Sequence, residues 1–553
     1  MNKYFLSTLF FILILGIGIF LRLDRLTQIP PSLSHDETAI AYNAYSILKT
    51  GKDEYGTTYP LLFRSFDDYK LPGMVYATIP AVSLFGLSEL AARLPSAIFG
   101  ILSILVMYGI AIELLGSKRW IKIQKIEIDS ALFPFLMFSV SPWHINFSRQ
   151  LFESNGAVFW CMLGVYFLLR SRQYYSQIFW AGISFVISLY FYYSVRLVIP
   201  FIGIYYVFSQ WKRLSQHWKF TLCTALVCIC LFFPMGKEML SRGGMERISI
   251  VSVVNDPNYL QRRDRYVQKL GTSPTLVSKI MYNRRIALLQ TIIENYTKNI
   301  SYRNLFLTGT GTYGTLYPFE IVLIPLGFMA LRLLPQFFGY LILIWLATSF
   351  LPGAFSVNQP NTLRTLIAAP VFSILSGLGL WYGLNYSKRW KFGAIPFFVV
   401  LTLFFYVSFP TFYHAYFYEN PTKNALSFGD GYKQMIDYVK SNEDTYDTIV
   451  ISGYYWRPYI FMLYWGNIDP TSYQRLGSRE KYSHYIFTSA PWDSNGLKLI
   501  DKDVRLSDLK VTGKTLYILA TPEYEVHKKS FIKISDIHGK IARNVYVAAT
   551  STE

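Results

Sequence analysis

Long apolar runs alternate with short polar stretches along most of the chain. The first run, residues 4–21, carries no charge, is long enough to cross a bilayer and is followed by no small-residue cleavage site, so we interpret it as a retained anchor. Further runs predict spans near residues 94–112, 130–147, 154–169, 176–193, 197–210, 220–235, 316–331, 335–351, 365–384 and 393–411. The pattern therefore predicts a polytopic α-helical membrane protein with about 11 transmembrane helices.

Positive charge in the short loops predicts the orientation of these helices. Basic clusters occur in alternate loops: "SKRWIKIQK" (117–125), "RSR" (170–172), "WKRLSQHWK" (211–219), Arg332 and "SKRWK" (387–391). They share the cytoplasmic side of Lys3 if residues 72–86, which are few and contain Pro80, form an interfacial helix rather than a span. Residues 22–93, 236–315 and 412–553 are then predicted to be extracytoplasmic.

The C-terminal tail changes character. The stretch "YKQMIDYVKSNEDTYDTIVIS" has the period of an amphipathic helix followed by a strand, and "KTLYILATP" is typical of a second strand. We therefore predict a transmembrane domain at 1–411 and a small extracytoplasmic α/β domain at 412–553.

Composition favours a membrane protein over a nucleic-acid-binding one. The 553 residues are 52% hydrophobic and only 16% charged, which is too apolar for an ordinary soluble chain. The net charge of +19 comes without a zinc-finger or RNP motif, and membrane orientation accounts for its basic clusters. The four cysteines lie in apolar runs and are predicted to be small buried residues: Cys161, Cys223, Cys228 and Cys230.

The stretch "SHDETAIAYNAYSILKTG" (34–51) allows two interpretations. Ser34 with Glu37 three residues later matches a capping box, and Gly51 matches a helix end, so the carboxylates suit a helix start. Paired carboxylates next to His35 also suit proton transfer. Local sequence alone leaves both interpretations open.

Further ionisable residues fall at the predicted outer turns. Such groups near a membrane are functional candidates, because desolvation is costly unless they are paired or used. Basic groups bind phosphate and carboxylates accept protons, although a single Arg also fits an interfacial anchor. The candidates are His35, Asp36, Glu37, Asp68, Lys70, His144, Arg149, Glu153, Arg196 and Arg364.

Two other patterns, one of a dinucleotide site and one of a metal site, have weaker support in the sequence. "GTGTYG" (309–314) satisfies G-x-G-x-x-G but leads into an apolar run, with no βαβ unit around it. The histidines show no metal-ligand spacing, and a lone His is more often a structural residue. No metal site and no cofactor is assigned; a divalent metal stays an open alternative, although the sequence contains no ligand motif for one.

The order of these elements resembles the GT-C superfamily of membrane glycosyltransferases, in particular glycosyltransferase family 39, which includes protein O-mannosyltransferases and the aminoarabinose transferases of lipid A. The resemblance covers most of the chain. It rests on "SHDETAIAYNAYSILKTGKDEYG", "YKLPGMVYATIPAVSLFGLSELAARLPSAIFGIL", "FSRQLFES", "YYSVRLVIP", "MERISIVSV", "LFLTGTGTYGTLYPFE", "NTLRTLIAAP" and "GDGYKQMIDYVK".

The resemblance implies transfer of a hexosyl or pentosyl group from a polyprenyl-phosphate donor to a lipid, glycan or protein acceptor. Asp36 matches the family's catalytic base, with Glu37 its neighbour, and Arg149 matches the arginine at the lipid phosphate. Lys70, Arg196 and Arg364 match basic positions near the donor. The implied place is the non-cytoplasmic side of a membrane, for instance a prokaryotic plasma membrane. The alternatives are a transporter or flippase of lipid-linked sugar and a non-enzymatic scaffold.

Overall fold

The structure is a computed structural model that describes residues 3–66, 68–123, 126–270, 275–387, 395–455, 457–479, 481–488, 511–543 and 545–551. Contacts between residues divide the chain into two units. Unit 1 comprises Met1–Asp24, Ser96–Ser148 and Glu153–Tyr416, and unit 2 comprises Arg25–Pro95, Arg149–Phe152 and Phe417–Glu553. Unit 2 thus groups the tail with the segment that carries "SHDE". The predicted domain boundary near residue 411 stays a prediction.

The chain is mostly helical, with two short strand pairs in its first part and a sheet in its C-terminal part. The first part contains α1 Lys3–Leu23, α2 His35–Thr50, β1 Phe63–Ser65, β2 Asp68–Lys70, α3 Pro72–Phe85, α4 Glu89–Leu115, β3 Trp120–Ile123, β4 Ile126–Asp129, α5 Leu132–Ser139, α6 Pro142–Ser148, α7 Glu153–Arg170 and α8 Gln177–Phe191. The middle part contains α9 Ile199–Ser209, α10 Trp211–Gln216, α11 Trp218–Met239, α12 Arg242–Val251, α13 Pro257–Leu270, α14 Leu276–Met281, α15 Arg284–Asn299, α16 Glu320–Leu331, α17 Gln336–Ser349, α18 Leu351–Ala354, α19 Ala369–Ser387 and α20 Ile395–His414.

The C-terminal part contains α21 Asn420–Lys423, α22 Tyr432–Asn442, β5 Thr448–Ile451, α23 Pro458–Trp465, α24 Pro470–Leu476, β6 Lys481–Tyr482, β7 Tyr485–Phe487, β8 Thr515–Ala520, α25 Thr521–His527, β9 Phe531–Ile537 and β10 Tyr546–Ser551. Short helical turns of other types lie at Gly116–Arg119, Tyr193–Leu197, Val253–Asn255, Arg303–Thr308, Leu366–Ala368, Ala415–Glu419, Leu426–Phe428 and Glu443–Thr445.

The helices of membrane length belong to unit 1, except that the first seven residues of Glu89–Arg119 belong to unit 2. Among the described residues, five helices are long and apolar enough to cross a bilayer: Tyr4–Leu23, Glu89–Arg119, Trp218–Met239, Gln336–Ala354 and Leu366–Ser387. A sixth span results if α6 and α7, bent by 120°, are counted together, and shorter apolar helices lie at Pro72–Phe85, Gln177–Phe191, Tyr193–Ser209 and Glu320–Leu331. A polytopic helical membrane protein is confirmed, whereas the number of about 11 spans stays a prediction.

The predicted span at 130–147 is two short helices. α5 ends at Ser139 and α6 begins at Pro142, because proline lacks the N–H that a continuous helix needs and disfavours helical backbone at the residue before it. The segment predicted as an interfacial helix is α3, whose 14 residues are too few to span a bilayer. Its position at the interface stays a prediction, and residues 388–391 of the predicted basic loop lie outside the described residues.

Close packing in unit 1 depends on small residues. A Cβ added at Gly327 of α16 would clash with the carbonyl oxygen of Leu375, and one at Gly379 of α19 with that of Leu323. The two helices therefore pack backbone to backbone, as membrane helices do at small residues. The cysteine prediction was partly wrong: Cys161 is buried, but Cys223 and Cys230 are exposed on α11, because a lipid-facing helix displays apolar residues outward.

In unit 2, the described strands of the tail form a six-stranded sheet in the order β6-β7-β5-β8-β10-β9. β5 lies parallel to β7 and β8, and the other pairs are antiparallel. The helix and the two strands predicted in the tail are confirmed as α22, β5 and β8. α2 packs against α3, α23 and α24, so it is buried on most of its surface.

Candidate functional site

The site starts from the N-terminus of α2, whose ends were predicted correctly. Ser34 is the N-cap: its Oγ accepts from the N–H of Glu37 at 3.4 Å, and its own N–H donates to Glu37 Oε2 at 2.9 Å. This reciprocal pair is a capping box. Gly51 ends the helix with a left-handed φ of 68°, which glycine adopts without strain.

Glu37 is fully buried and serves three donors. Besides the N–H of Ser34, its Oε1 accepts from Arg93 Nε at 3.2 Å and from the N–H of Leu151 at 3.1 Å. Both side chains of the Glu37–Arg93 pair are completely inaccessible to solvent. The catalytic role predicted for Glu37 stays a prediction, and its enclosure favours a positioning role.

Arg93 holds the loop that leads into α2. Its Nη1 donates to the carbonyls of Leu26 at 3.0 Å and Pro30 at 2.8 Å, and its Nη2 donates to the carbonyl of Ser32. One guanidinium therefore connects three carbonyls of the loop at 26–32 to the helix cap. Arg93 lies within the family-like stretch "ARLPSAIFG", yet sequence reasoning assigned it no role, because nothing local indicates which backbone it meets.

Arg149 lies beside the same loop and is also fully buried. Its Nη2 donates to the carbonyl of Ile29 at 3.1 Å, and its guanidinium lies 4.9 Å from the ring centre of Phe417. Its predicted contact with a lipid phosphate stays a prediction.

Asp36 is the accessible member of the carboxylate pair. Its side chain is 33% exposed, and its Oδ1 accepts from Lys70 Nζ at 2.5 Å. The Nε2 of His35 lies 3.7 Å from Oδ2, and burial lowers the pKa of His35, which keeps the ring neutral near pH 7. Lys70 ends β2, so the β1–β2 hairpin delivers its ammonium group to the start of α2.

The β1–β2 segment and the tail each supply a further side chain at this point. Phe66 lies edge-on to His35, with ring centres 5.4 Å apart, and Arg457 lies 5.9 Å from the ring centre of Phe66. The positive charge of Arg457 also lowers the pKa of His35. Phe66 and Arg457 were not predicted, since they are distant from "SHDE" in sequence and match no motif.

A second buried carboxyl in unit 2 was not predicted either. Glu54 is almost fully buried, its backbone N–H donates to Asn43 Oδ1 at 3.0 Å, and its carboxyl oxygens have no hydrogen-bond partner among the described residues. Burial, followed by the nearby charge of Asp53, raises the pKa of Glu54 to about 8.

The lower-ranked candidates Asp68, His144 and Glu153 lie in both units. Asp68 begins β2 and its Oδ1 accepts from the N–H of Tyr69 at 2.7 Å. In unit 1, His144 is buried with its Nδ1 2.8 Å from Arg22 Nη2, and because Arg is only a donor this nitrogen must accept. Glu153 is buried at the start of α7, where the helix N-terminus favours an acid.

Arg196 and Arg364 belong to unit 1 as well. Arg196 lies 4.4 Å from the ring centre of Tyr193, with Nη2 3.4 Å from the carbonyl of Leu189. Arg364 Nη1 donates to the carbonyl of Val357 at 2.9 Å. Unit 2 thus brings together His35, Asp36, Glu37, Lys70 and Arg149, and the donor-site roles of Arg196 and Arg364 stay predictions.

The arrangement separates an inner layer from an outer one. Glu37, Arg93 and Arg149 fix the loop and the helix start, while Asp36 and Lys70 present an accessible carboxylate beside a cation. Such a pair can accept a proton and bind an anion. Among the described residues, no group of three His, Cys, Asp or Glu side chains is placed to hold a metal ion.

Comparison with known proteins supports the fold. A family model described as dolichyl-phosphate-mannose-protein mannosyltransferase matches residues 72–236. No curated protein sequence matches the chain. Structures of ArnT from Cupriavidus metallidurans, in the apo state and bound to undecaprenyl phosphate, are similar with TM-scores of 0.54 and 13% identity. The matches cover 98% and 99% of this chain and 97% and 98% of those chains.

A third similar structure is the archaeal oligosaccharyltransferase AglB from Archaeoglobus fulgidus, in complex with an inhibitory peptide and a dolichol-phosphate. Its TM-score is 0.47 at 12% identity, over 84% of this chain and 64% of that one, which is too low to support an inference. The ArnT similarity extends over nearly the whole chain. The fold is therefore that of the GT-C membrane glycosyltransferases, and the chain is an integral, multi-pass membrane protein.

Proposed function

We propose that this protein is a membrane glycosyltransferase that moves a hexosyl or pentosyl group from a polyprenyl-phosphate donor to a lipid, glycan or protein acceptor on the non-cytoplasmic face. The observation that carries the proposal is the Asp36–Lys70 pair: an accessible carboxylate 2.5 Å from an ammonium group, at a helix start that buried residues hold in place. The family description and the undecaprenyl phosphate bound to ArnT support a donor of this class.

Asp36 is the proposed general base. It takes the proton from the acceptor hydroxyl or amine as the acceptor oxygen or nitrogen bonds to the anomeric carbon. The bond between that carbon and the phosphate oxygen breaks, and its electron pair leaves with the lipid phosphate. Attack from the side opposite the leaving group inverts the anomeric configuration. The N-terminus of α2 and Lys70 both stabilise the carboxylate form.

Lys70 is the proposed phosphate contact. In this structure its ammonium group is occupied by Asp36, and a bound lipid phosphate would compete for it. Movement of Lys70 toward the phosphate would place positive charge where negative charge develops and would leave Asp36 a stronger base. Donor binding would therefore couple activation of the base to stabilisation of the leaving group.

Asp36→Asn tests this proposal. The amide still accepts hydrogen bonds but cannot take up a proton, so transfer should fall by about a hundredfold to ten-thousandfold. We would measure release of polyprenyl phosphate from radiolabelled mannosyl- and aminoarabinosyl-phosphate polyprenols by purified protein in detergent. The control is Ser34→Ala, which weakens the helix cap by about 1 kcal/mol and leaves the carboxylate in place.

Normal transfer by Asp36→Asn, or an equal loss in both variants, would contradict the base assignment. Mass spectrometry of glycoconjugates from cells with and without the gene would show which acceptor is modified. If no glycoconjugate changes while lipid-linked sugar accumulates on one side of the membrane, the flippase alternative is favoured instead.

A further inference from the structure

A strongly basic surface lies in unit 1. Residues 257–285 contain seven Lys or Arg and one acidic residue, Asp264. Arg262 is neutralised, since its Nη2 donates to Glu294 Oε2 at 2.5 Å, and Arg263 pairs with Asp264 at 2.8 Å. The cations left exposed are Arg265, Lys269, Lys279, Arg284 and Arg285. This surface therefore has an excess of accessible positive charge.

Exposed apolar side chains lie among these cations. On α14, Leu276, Val277, Ile280 and Met281 are between 57% and 75% exposed. Their spacing places them on one face of the helix. Leu289 and Ile293 on α15, and Ile300 at its C-cap, are also exposed and share one stripe. Grouped apolar side chains with a basic rim indicate an interaction surface, unlike single exposed ones.

Contacts within unit 1 attach this surface to a membrane-length helix. Tyr296 OH on α15 donates to the carbonyl of Ala347 on α17 at 3.0 Å, and the Tyr296 and Phe350 rings are 5.9 Å apart. Asn295 Nδ2 donates to the carbonyl of Ser356, just after α18. Because Gln336–Ala354 is long and apolar enough to span, its C-terminal end, where α15 is attached, falls near the headgroup level.

α13 is fixed to α15 by two hydrogen bonds. Tyr266 OH donates to Gln290 Oε1 at 2.6 Å, and Arg262 Nη1 donates to Thr291 Oγ1 at 3.1 Å. Arg265 and Lys269 on the same helix are exposed. A basic, amphipathic layer next to a membrane span matches a surface of anionic lipids in both charge and polarity.

We propose that α13–α15 form an interfacial anchor for anionic phospholipids. The apolar side chains of α14 and α15 enter the boundary between headgroups and acyl chains, and the exposed Lys and Arg side chains bind the lipid phosphates. Charge complementarity favours this partner over a second copy of the chain, whose matching surface would be equally positive.

The test uses the full chain in nanodiscs of phosphatidylcholine, with or without 30% phosphatidylglycerol, about the anionic content that gives a clear surface potential. The native cysteines are replaced by serine, Val277→Cys is labelled with NBD, and quenching by a lipid with a shallow doxyl group is recorded. Labelled Lys52→Cys, on an exposed residue of unit 2, is the control.

We expect quenching at position 277 to rise at least about twofold with phosphatidylglycerol and to fall again at high salt, because screening weakens surface electrostatics. The variant Lys279→Gln, Arg284→Gln, Arg285→Gln should abolish the rise while the melting temperature stays near that of the parent. Quenching that is equal at positions 52 and 277, or that does not depend on the charge of the lipid, would overturn the proposal.

Two further results would also overturn it. Energy transfer between labels at position 277 on separate copies, without lipid quenching, would identify a second copy as the partner. A rise produced in phosphatidylcholine by polyprenyl phosphate, but not by phosphatidylglycerol, would identify the donor lipid. None of these results depends on sugar transfer, so the proposed function is tested separately.

Discussion

Replacing Glu37 by Gln should separate positioning from chemistry at the start of α2. The carboxylate serves three donors at 2.9–3.2 Å: the N–H of Ser34, the N–H of Leu151 and Arg93 Nε. The amide oxygen of the variant can take the place of Oε1 and accept from both of its donors. The amide nitrogen then takes the place of Oε2 and faces the N–H of Ser34, so two donors meet without an acceptor. The variant also leaves the buried Arg93 charge without its counterion.

Removal of one partner from a buried ion pair costs about 3–5 kcal/mol. Because the amide keeps some of the hydrogen bonds, we expect the free energy of unfolding to fall by the lower end of this range, about 3 kcal/mol. At roughly 2–4 °C per kcal/mol for a folded unit of 150–250 residues, the melting temperature should fall by roughly 6–12 °C. Transfer measured well below the melting temperature should fall much less than in Asp36→Asn.

The assay is thermal unfolding of detergent-purified variants at one scan rate, with donor cleavage measured in parallel. The matched control is Glu419→Gln, which breaks an exposed Glu419–Lys423 pair in unit 2 and should cost less than about 1 kcal/mol. If Glu37→Gln melts like the parent and loses transfer as completely as Asp36→Asn, the positioning role is refuted and Glu37 acts in the chemistry.

Three further predictions concern the predicted phosphate site, a buried carboxyl and the topology. Arg149→Ala should lower kcat/KM for the donor by about a hundredfold, the loss typical of a preorganised donor, and Arg149→Lys should recover part of it; activity within twofold of the parent would contradict the phosphate role. The pKa of Glu54 is about 8 in the folded state and 4.5 ordinarily, so the folded protein keeps a proton that the unfolded chain releases, and stability should fall as pH rises from 5 to 8. Glu54→Gln should remove that part of the pH dependence of the melting temperature, and an unchanged slope would show that Glu54 does not cause it. Cysteines placed at the exposed Lys52 and Ser441 should both react with an impermeant reagent in spheroplasts; reaction of only one would contradict the predicted orientation.

Features set by near neighbours were predicted best. The capping box of Ser34, the helix end at Gly51, the tail helix α22 and the strands β5 and β8 depend on residues within a few positions, so their patterns are visible in the sequence. Span boundaries were predicted less well. An apolar run at 130–147 has the length of one span, yet the proline at 142 divides it into two short helices.

The tertiary structure decided which of the two carboxylates in "SHDE" is buried. Sequence alone determined that a helix starts at Ser34 with two carboxylates in its first turn, inside an apolar, multi-pass chain. It did not determine which carboxylate would be covered, because neighbouring side chains on a helix point about 100° apart and either face can be the buried one. Backbone at Leu151 and the side chain of Arg93 enclose Glu37, while Lys70 leaves Asp36 accessible. These partners are distant in sequence, so only the folded chain separates the enclosed carboxylate from the exposed one.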